Sequence, residues 1–114
     1  MQSDDFCLLM HWAPEHGYGY CVGGLQHHHL ISKNLLRNNP QGRKLVDEVY
    51  PYLFIAPVCA VHNAETKCAD LMEARLFMLR HRRMQYPEIF EQAFEELIET
   101  FKCQTDIEAI WRML

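Results

Sequence analysis

Three consecutive histidines, His27-His28-His29, stand inside the chain between Leu25-Gln26 and Leu30-Ile31. The apolar flanks predict a short β-strand, and neighbouring side chains of a strand leave it on opposite faces. His28 and His29 therefore cannot line one flat surface. One imidazole can serve a metal while the next serves something beside it. Such a strand becomes a site only when further ligands reach it, and Cys59-Ala60-Val61-His62-Asn63 follows about thirty residues later.

The surroundings of these two segments set the fold class. The chain has 114 residues, enough for one domain over 1–114, and its 49% hydrophobic and 23% charged content is that of a globular protein. No apolar run approaches the ~20 residues a membrane span requires. The first Lys or Arg is Lys33, so no basic segment opens a signal peptide. Five cysteines without regular spacing argue against a secreted disulfide framework. Together these predict a cytoplasmic protein with no membrane partner, its cysteines buried or binding metal. The net charge of −4 counts mildly against a nucleic-acid partner, but the charges are segregated. Lys33, Arg37, Arg43 and Lys44 form one basic stretch, and Arg75, Arg80, Arg82 and Arg83 form another. The acids gather at Glu88, Glu91, Glu95, Glu96 and Glu99.

Gly23-Gly24 is a two-residue turn signal, so residues 18–31 predict a β-hairpin. Residues 32–39 predict a loop with a helical turn, and 41–49 a short helix ended before Pro51. Tyr52 to Val58 is β-rich, with Pro57 marking an edge or an end. Residues 62–84 read as one helix, with Leu71, Ala74, Met78 and Leu79 at helical spacing. Pro87 opens the next helix at its first position. That helix carries the cleanest apolar stripe, Ile89, Phe90, Ala93, Phe94, Leu97, Ile98 and Phe101, which is either core or a homodimer surface of the 87–102 helix. Thr105, with Glu108 three residues on, is a capping box for a last helix with Ile107, Ile110, Trp111 and Leu114 on its apolar side. Cys68 and Cys103 read as small buried hydrophobes rather than ligands, His81 as a solvated face residue, and His27 carries no role.

The order of strand with paired histidines, basic irregular loop, strand, Cys-x-x-His-Asn and helix resembles the HNH (ββα-metal) endonuclease family. The residues that carry it are Gly-Tyr-Cys-Val-Gly-Gly ahead of His-His-Leu-Ile-Ser at 28–32, and Phe-Ile-Ala-Pro-Val-Cys-Ala-Val-His-Asn at 54–63. It spans roughly residues 20–70. The fold it implies is α+β: an HNH-like ββα-metal core with a β-hairpin over about 18–84, then two or three C-terminal α-helices over 85–114.

By position, the resemblance makes His28 and Asn63 ligands of a catalytic divalent cation, Mg²⁺ or Mn²⁺, and His29 the general base. It makes Cys21, Cys59 and His62 ligands of a structural Zn²⁺. The departures are definite. Gly24 stands where the family's first knuckle has its second cysteine, Lys67 replaces a helix-borne histidine, and no asparagine opens the second strand near Tyr52-Leu53. The fourth zinc ligand comes from Cys7, His11, His16 or Cys68, with Cys7-x-x-x-His11 the most suggestive pair, or else the knuckle is vestigial.

Phosphodiester hydrolysis needs a divalent cation at the scissile phosphate and a base for water, and histidine changes charge near neutral pH. The resemblance therefore implies a metal-dependent endonuclease acting on DNA, duplex or branched, with Lys33, Arg37, Lys44 and Arg80 as backbone contacts. The alternative is a catalytically inactive zinc-stabilised module that binds nucleic acid or a protein partner.

Overall fold

The histidine run forms a strand. The computed structural model describes residues 6–101 and 105–114, Thr105 by its backbone alone; the expected burial of Cys103 and the cap at Thr105 lie outside the described residues. Strand β1 (Leu25–His29) pairs antiparallel with β2 (Ile55–Cys59), setting Leu25 opposite Cys59, His28 opposite Ala56 and His29 opposite Ile55. The remaining elements are helical, so the fold is mixed α/β around a two-stranded sheet.

The partner of β1 corrects the hairpin expected over 18–31. Gly19 and Gly23 hold φ of +78° and +88°, which turns the chain instead of extending it. At Gly23 a Cβ would also lie 2.8 Å from the Cβ of Ala60. This stretch satisfies its backbone on the turn after β2: Ala60 N–H donates to the Gly24 carbonyl (3.0 Å) and Val61 N–H to that of Val22 (3.2 Å). A loop, not a strand, therefore crosses the end of β2.

Upstream, α1 (Trp12–Glu15) is one turn whose Trp12 ring stacks on His16 and Tyr18. After β1, Ser32 caps α2 (Lys33–Leu36) by accepting from Asn34 N–H. Asn39 caps α3 (Pro40–Lys44), which widens into a π-helical turn at Leu45–Val49. The strand expected from Tyr52 starts only at Ile55. Pro51 instead opens α4 (Pro51–Phe54), since its fixed φ suits a first helical position. Pro57 lies within β2, where the missing N–H is tolerated at an edge, and its carbonyl accepts from Leu8 N–H (2.9 Å).

The helix expected to run from His62 to Met84 is interrupted. A π-helical turn (Val61–Glu65) ends at Lys67, which adopts a left-handed φ of 56°, and a 3₁₀ turn (Cys68–Asp70) precedes α5 (Met72–Gln85). The break lets Cys68 and Ala69 turn inward and be buried. Pro87 opens α6 (Pro87–Thr100) as expected, and α7 (Thr105–Met113) closes the fold.

Phe90, Ala93, Phe94 and Leu97 of α6 are fully buried, so this part of the stripe is core. Phe94 lies between Phe54 (5.7 Å) and Trp111 (5.1 Å), joining α4, α6 and α7. Arg82 of α5 is buried as well and donates to the Ile55 carbonyl (3.1 Å), pinning the helix to the start of β2. Among the described residues no helix is long and apolar enough to cross a membrane.

Candidate metal centre and the histidine cavity

Four side chains from four separate segments converge: Cys7 ahead of α1, Cys21 in the glycine-rich loop, Cys59 at the end of β2 and His62 in the following turn. Their ligand atoms all lie within 4.8 Å of one another, and all but Cys21 are buried. Cys59 and His62 meet because three residues of helical turn return the chain to the same side. The loop of 18–24 lies over this turn and delivers Cys21, while the bond from Leu8 to Pro57 holds Cys7 beside β2.

The imidazole fixes what the cluster can do. His62 Nε2–H donates to the Gly19 carbonyl (2.9 Å), which leaves the lone pair on Nδ1. That atom faces the Sγ atoms of Cys59 (3.2 Å), Cys21 (3.8 Å) and Cys7 (3.9 Å). A tetrahedral ion with bonds of about 2.3 Å to sulfur and about 2.0 Å to nitrogen gives ligand edges of about 3.5–3.8 Å. The group can therefore hold a metal ion with little movement. A backbone carbonyl on the far nitrogen is the usual orienting partner of a metal-bound histidine.

The three thiols shift one another's ionisation. Burial pushes Cys7 up, and Cys21 is pushed up to about 12 by burial and by the neighbouring thiols of Cys7 and Cys59. Burial also acts against ionisation of Cys59. Donation from the His62 and Val22 backbone N–H groups and from the Cys21 and Cys7 thiols outweighs it and holds Cys59 below its ordinary value. A divalent ion at these sulfurs would favour ionisation of all of them.

Of the choices for the fourth ligand, Cys7 is the one in the cluster. His11 is exposed and outside it. His16 donates Nδ1–H to the Trp12 carbonyl (2.7 Å). The Cys68 thiol is buried and turned to the His62 carbonyl (3.8 Å).

A second cluster lies across β1. His28 Nδ1 and Asn63 Oδ1 are 2.9 Å apart, and Asn63 Nδ2 donates to Gln26 Oε1 (2.8 Å). His29 leaves the strand the other way and donates Nε2–H to Asp47 Oδ1 (2.8 Å). A cavity of about 550 Å³ is lined by the three histidines, Lys33, Asn63, Asp70 and Arg75, among others. Burial holds the His28 imidazole below its usual range, and the Arg75 charge adds to this against the Asn63 bond. A neutral imidazole is the form that ligates metal.

His28, His29, Asn63 and Lys33 are thus brought together, and Arg37 lines an adjoining cavity of about 470 Å³ with Arg43 and Asp47. Two expected contacts are elsewhere. Lys44 faces Glu96 and Glu99 of α6, and Arg80 donates to the Met113 carbonyl at the end of α7 (2.7 Å). Sequence reasoning missed Asp47, Asp70 and Arg75 as members of this site. None has a spacing relation to the histidine pair, so no local signal marked them. No protein-family model, curated protein or solved structure matches the chain.

Proposed function

We propose that the protein is a metal-dependent endonuclease of the HNH (ββα-metal) type that hydrolyses DNA phosphodiester bonds. The observation that carries the reading is the placement of the adjacent histidines. His28 meets Asn63 from the turn after β2, His29 meets Asp47, and both rings line one polar cavity edged by Lys33 and Arg75. In this reading β1, β2 and the Val61–Glu65 turn correspond to the ββα unit.

The chain's own residues divide the work. Because His29 gives Nε2–H to Asp47, its Nδ1 is the nitrogen that takes the proton from water. The water oxygen bonds to phosphorus, the P–O bond to the leaving oxygen breaks, and that oxygen is protonated from solvent. Lys33, Arg37 and Arg43 attract the phosphate backbone without reading sequence. His28 would hold a divalent cation, Mg²⁺ or Mn²⁺, which would supply charge neutralisation at the scissile phosphate and its leaving oxygen. The thiol-rich set of Cys7, Cys21, Cys59 and His62 has the donor chemistry of structural Zn²⁺.

A second reading, a zinc-stabilised module without catalysis that binds a protein or nucleic acid, is favoured by one observation. His28 and His29 are each already bonded to a side chain, and neither Lys44 nor Arg80 lines the cavity. Plasmid nicking with Mg²⁺ or Mn²⁺, wild type beside His29→Ala purified identically, decides between them. The nuclease reading expects cleavage in the wild type and none in the variant at equal zinc content. No cleavage of supercoiled, single-stranded or branched DNA by the wild type supports the module.

A further inference from the structure

Resting on the nuclease reading, we infer that the divalent cation is held by His28 Nε2 together with Asp70, and that Asn63 orients His28 rather than ligating. The starting point is an orphaned atom. His28 is 7% exposed, and its Nε2 is fully buried and makes no well-formed hydrogen bond among the described residues, with the Ala69 backbone against the ring. Its nearest charged neighbour is Asp70 Oδ1 at 3.8 Å, too far for a hydrogen bond. An unpartnered buried nitrogen is costly unless something outside the chain satisfies it.

The rest of the ring shows what that something is. Nδ1 lies 2.9 Å from the Asn63 oxygen, and the Asn63 amide is oriented by its donation to Gln26 Oε1. Asn63 Oδ1 can only accept, so Nδ1 carries the hydrogen and Nε2 the lone pair. A lone pair and a carboxylate oxygen then face one another with no proton between them, which is the arrangement a cation resolves. With metal bonds of about 2.1 Å, adjacent ligands of an octahedral ion lie about 3.0 Å apart, so Asp70 has to approach from 3.8 Å by about 0.8 Å. Asp70, whose side chain is 55% exposed, has room to make that movement by turning from its partner Arg75.

The charge on Asp70 is meanwhile balanced by Arg75, whose Nη2 lies 3.4 Å from the same Oδ1 and which also lines the cavity. Arg75 is a standing competitor for the cation. Once displaced, it has a free guanidinium for a phosphate oxygen. Asp70 and Arg75 therefore act on metal affinity with opposite signs, which a merely structural pair would not do.

The test uses full-length protein loaded with Zn²⁺ and titrated with Mn²⁺, free Mn²⁺ being counted by electron paramagnetic resonance. Wild type should bind one Mn²⁺ beyond the zinc. Asp70→Asn should weaken it tenfold or more, and Arg75→Gln should tighten it severalfold, both with unchanged melting temperature. Imidazole nitrogen NMR of the Mn²⁺-free protein should show His28 protonated at Nδ1. Absence of Mn²⁺ binding in the wild type, an Asp70→Asn affinity within twofold of it, or a His28 ring protonated at Nε2 each overturns the assignment. Asp70-dependent Mn²⁺ binding without DNA cleavage removes the nuclease reading and leaves the site standing. Metal-dependent cleavage indifferent to Asp70→Asn does the reverse.

Discussion

Replacing Cys7 by serine is the sharpest perturbation of the four-ligand cluster, because this residue is the farthest in sequence from the others. Cys7 is nearly fully buried, and its Sγ lies 3.9 Å from His62 Nδ1. Structural zinc sites of this donor type bind with about 10–16 kcal/mol, so one ligand of four carries about 2.5–4 kcal/mol. At about 1.4 kcal/mol per decade, Cys7→Ser should weaken zinc by about two to three orders of magnitude. Because the ion binds the folded chain and not the unfolded one, the same loss appears as stability. At about 4 °C per kcal/mol for a chain of this size, the midpoint falls by about 10 °C or more. Zinc content by mass spectrometry, competition with a chromophoric chelator, and melting with and without EDTA measure each part. Cys68→Ser is the matched control. It too is buried, but its thiol faces the His62 carbonyl, so it should keep one zinc at wild-type affinity. Equal retention of zinc by Cys7→Ser, or equal loss in Cys68→Ser, would refute the assignment.

Asp47→Ala removes the acceptor that holds His29 by Nε2–H. In the nuclease reading, plasmid cleavage should slow by about 10–100-fold while zinc content stays constant, with partial recovery in Asp47→Asn, which retains an acceptor. Gly42→Ala sets a small propensity gain against a clash: the new Cβ would lie 2.2 Å from Phe101 Cζ in the core. Urea unfolding should show a net loss of about 1–3 kcal/mol; a more stable variant would mean that α3 does not pack on Phe101 this closely. Tyr50 O–H donates to Glu96, which, with burial, raises the phenol above its ordinary 10.0. A raised pKa means the contribution is fully present below pH 10 and lost as the pH rises through the folded value. Tyr50→Phe should thus cost about 1 kcal/mol at neutral pH, with the gap to wild type closing in alkaline melts.

What the sequence revealed of this fold follows the range of the forces involved. Helix α6 was legible because Pro87 fixes its start and the phenylalanines recur at helical period, both local facts. Cys59 and His62 were legible as a pair for the same reason, since three residues of turn bring them together. Cys7 was legible only as one choice among several. Its place in the cluster depends on the chain path from Leu8 to Pro57, which no spacing encodes. The hairpin failed because Gly23-Gly24 is compatible with several turns; with Gly19 and Gly23 at positive φ, the following strand was free to pair with residues thirty positions away. The break at Lys67 had no local marker, since a lysine rarely takes a left-handed conformation. It follows from tertiary burial of Cys68 and Ala69. The same hidden turn brings Asp70 to His28, so the residue missed at the site and the helix break missed in the fold have one cause.

The two clusters are mechanically one object. His62 and Asn63 are consecutive residues of a single tight turn; the first faces three thiols on one side, and the second bonds His28 on the other. Cys59 ends the strand that pairs with β1, so the register placing His28 opposite Ala56 is fixed within a few residues of the same point. A turn of five residues has little intrinsic stability, because isolated helical segments of that length do not persist in water. What holds it is the convergence of Cys7, Cys21 and Gly19 on His62. An ion bound there would restrict the turn that aims Asn63, and through Asn63 the ring of His28. In the nuclease reading, cleavage then depends on an ion that touches no phosphate, because the orientation of the imidazole is set by a residue adjacent in sequence to that ion's ligand.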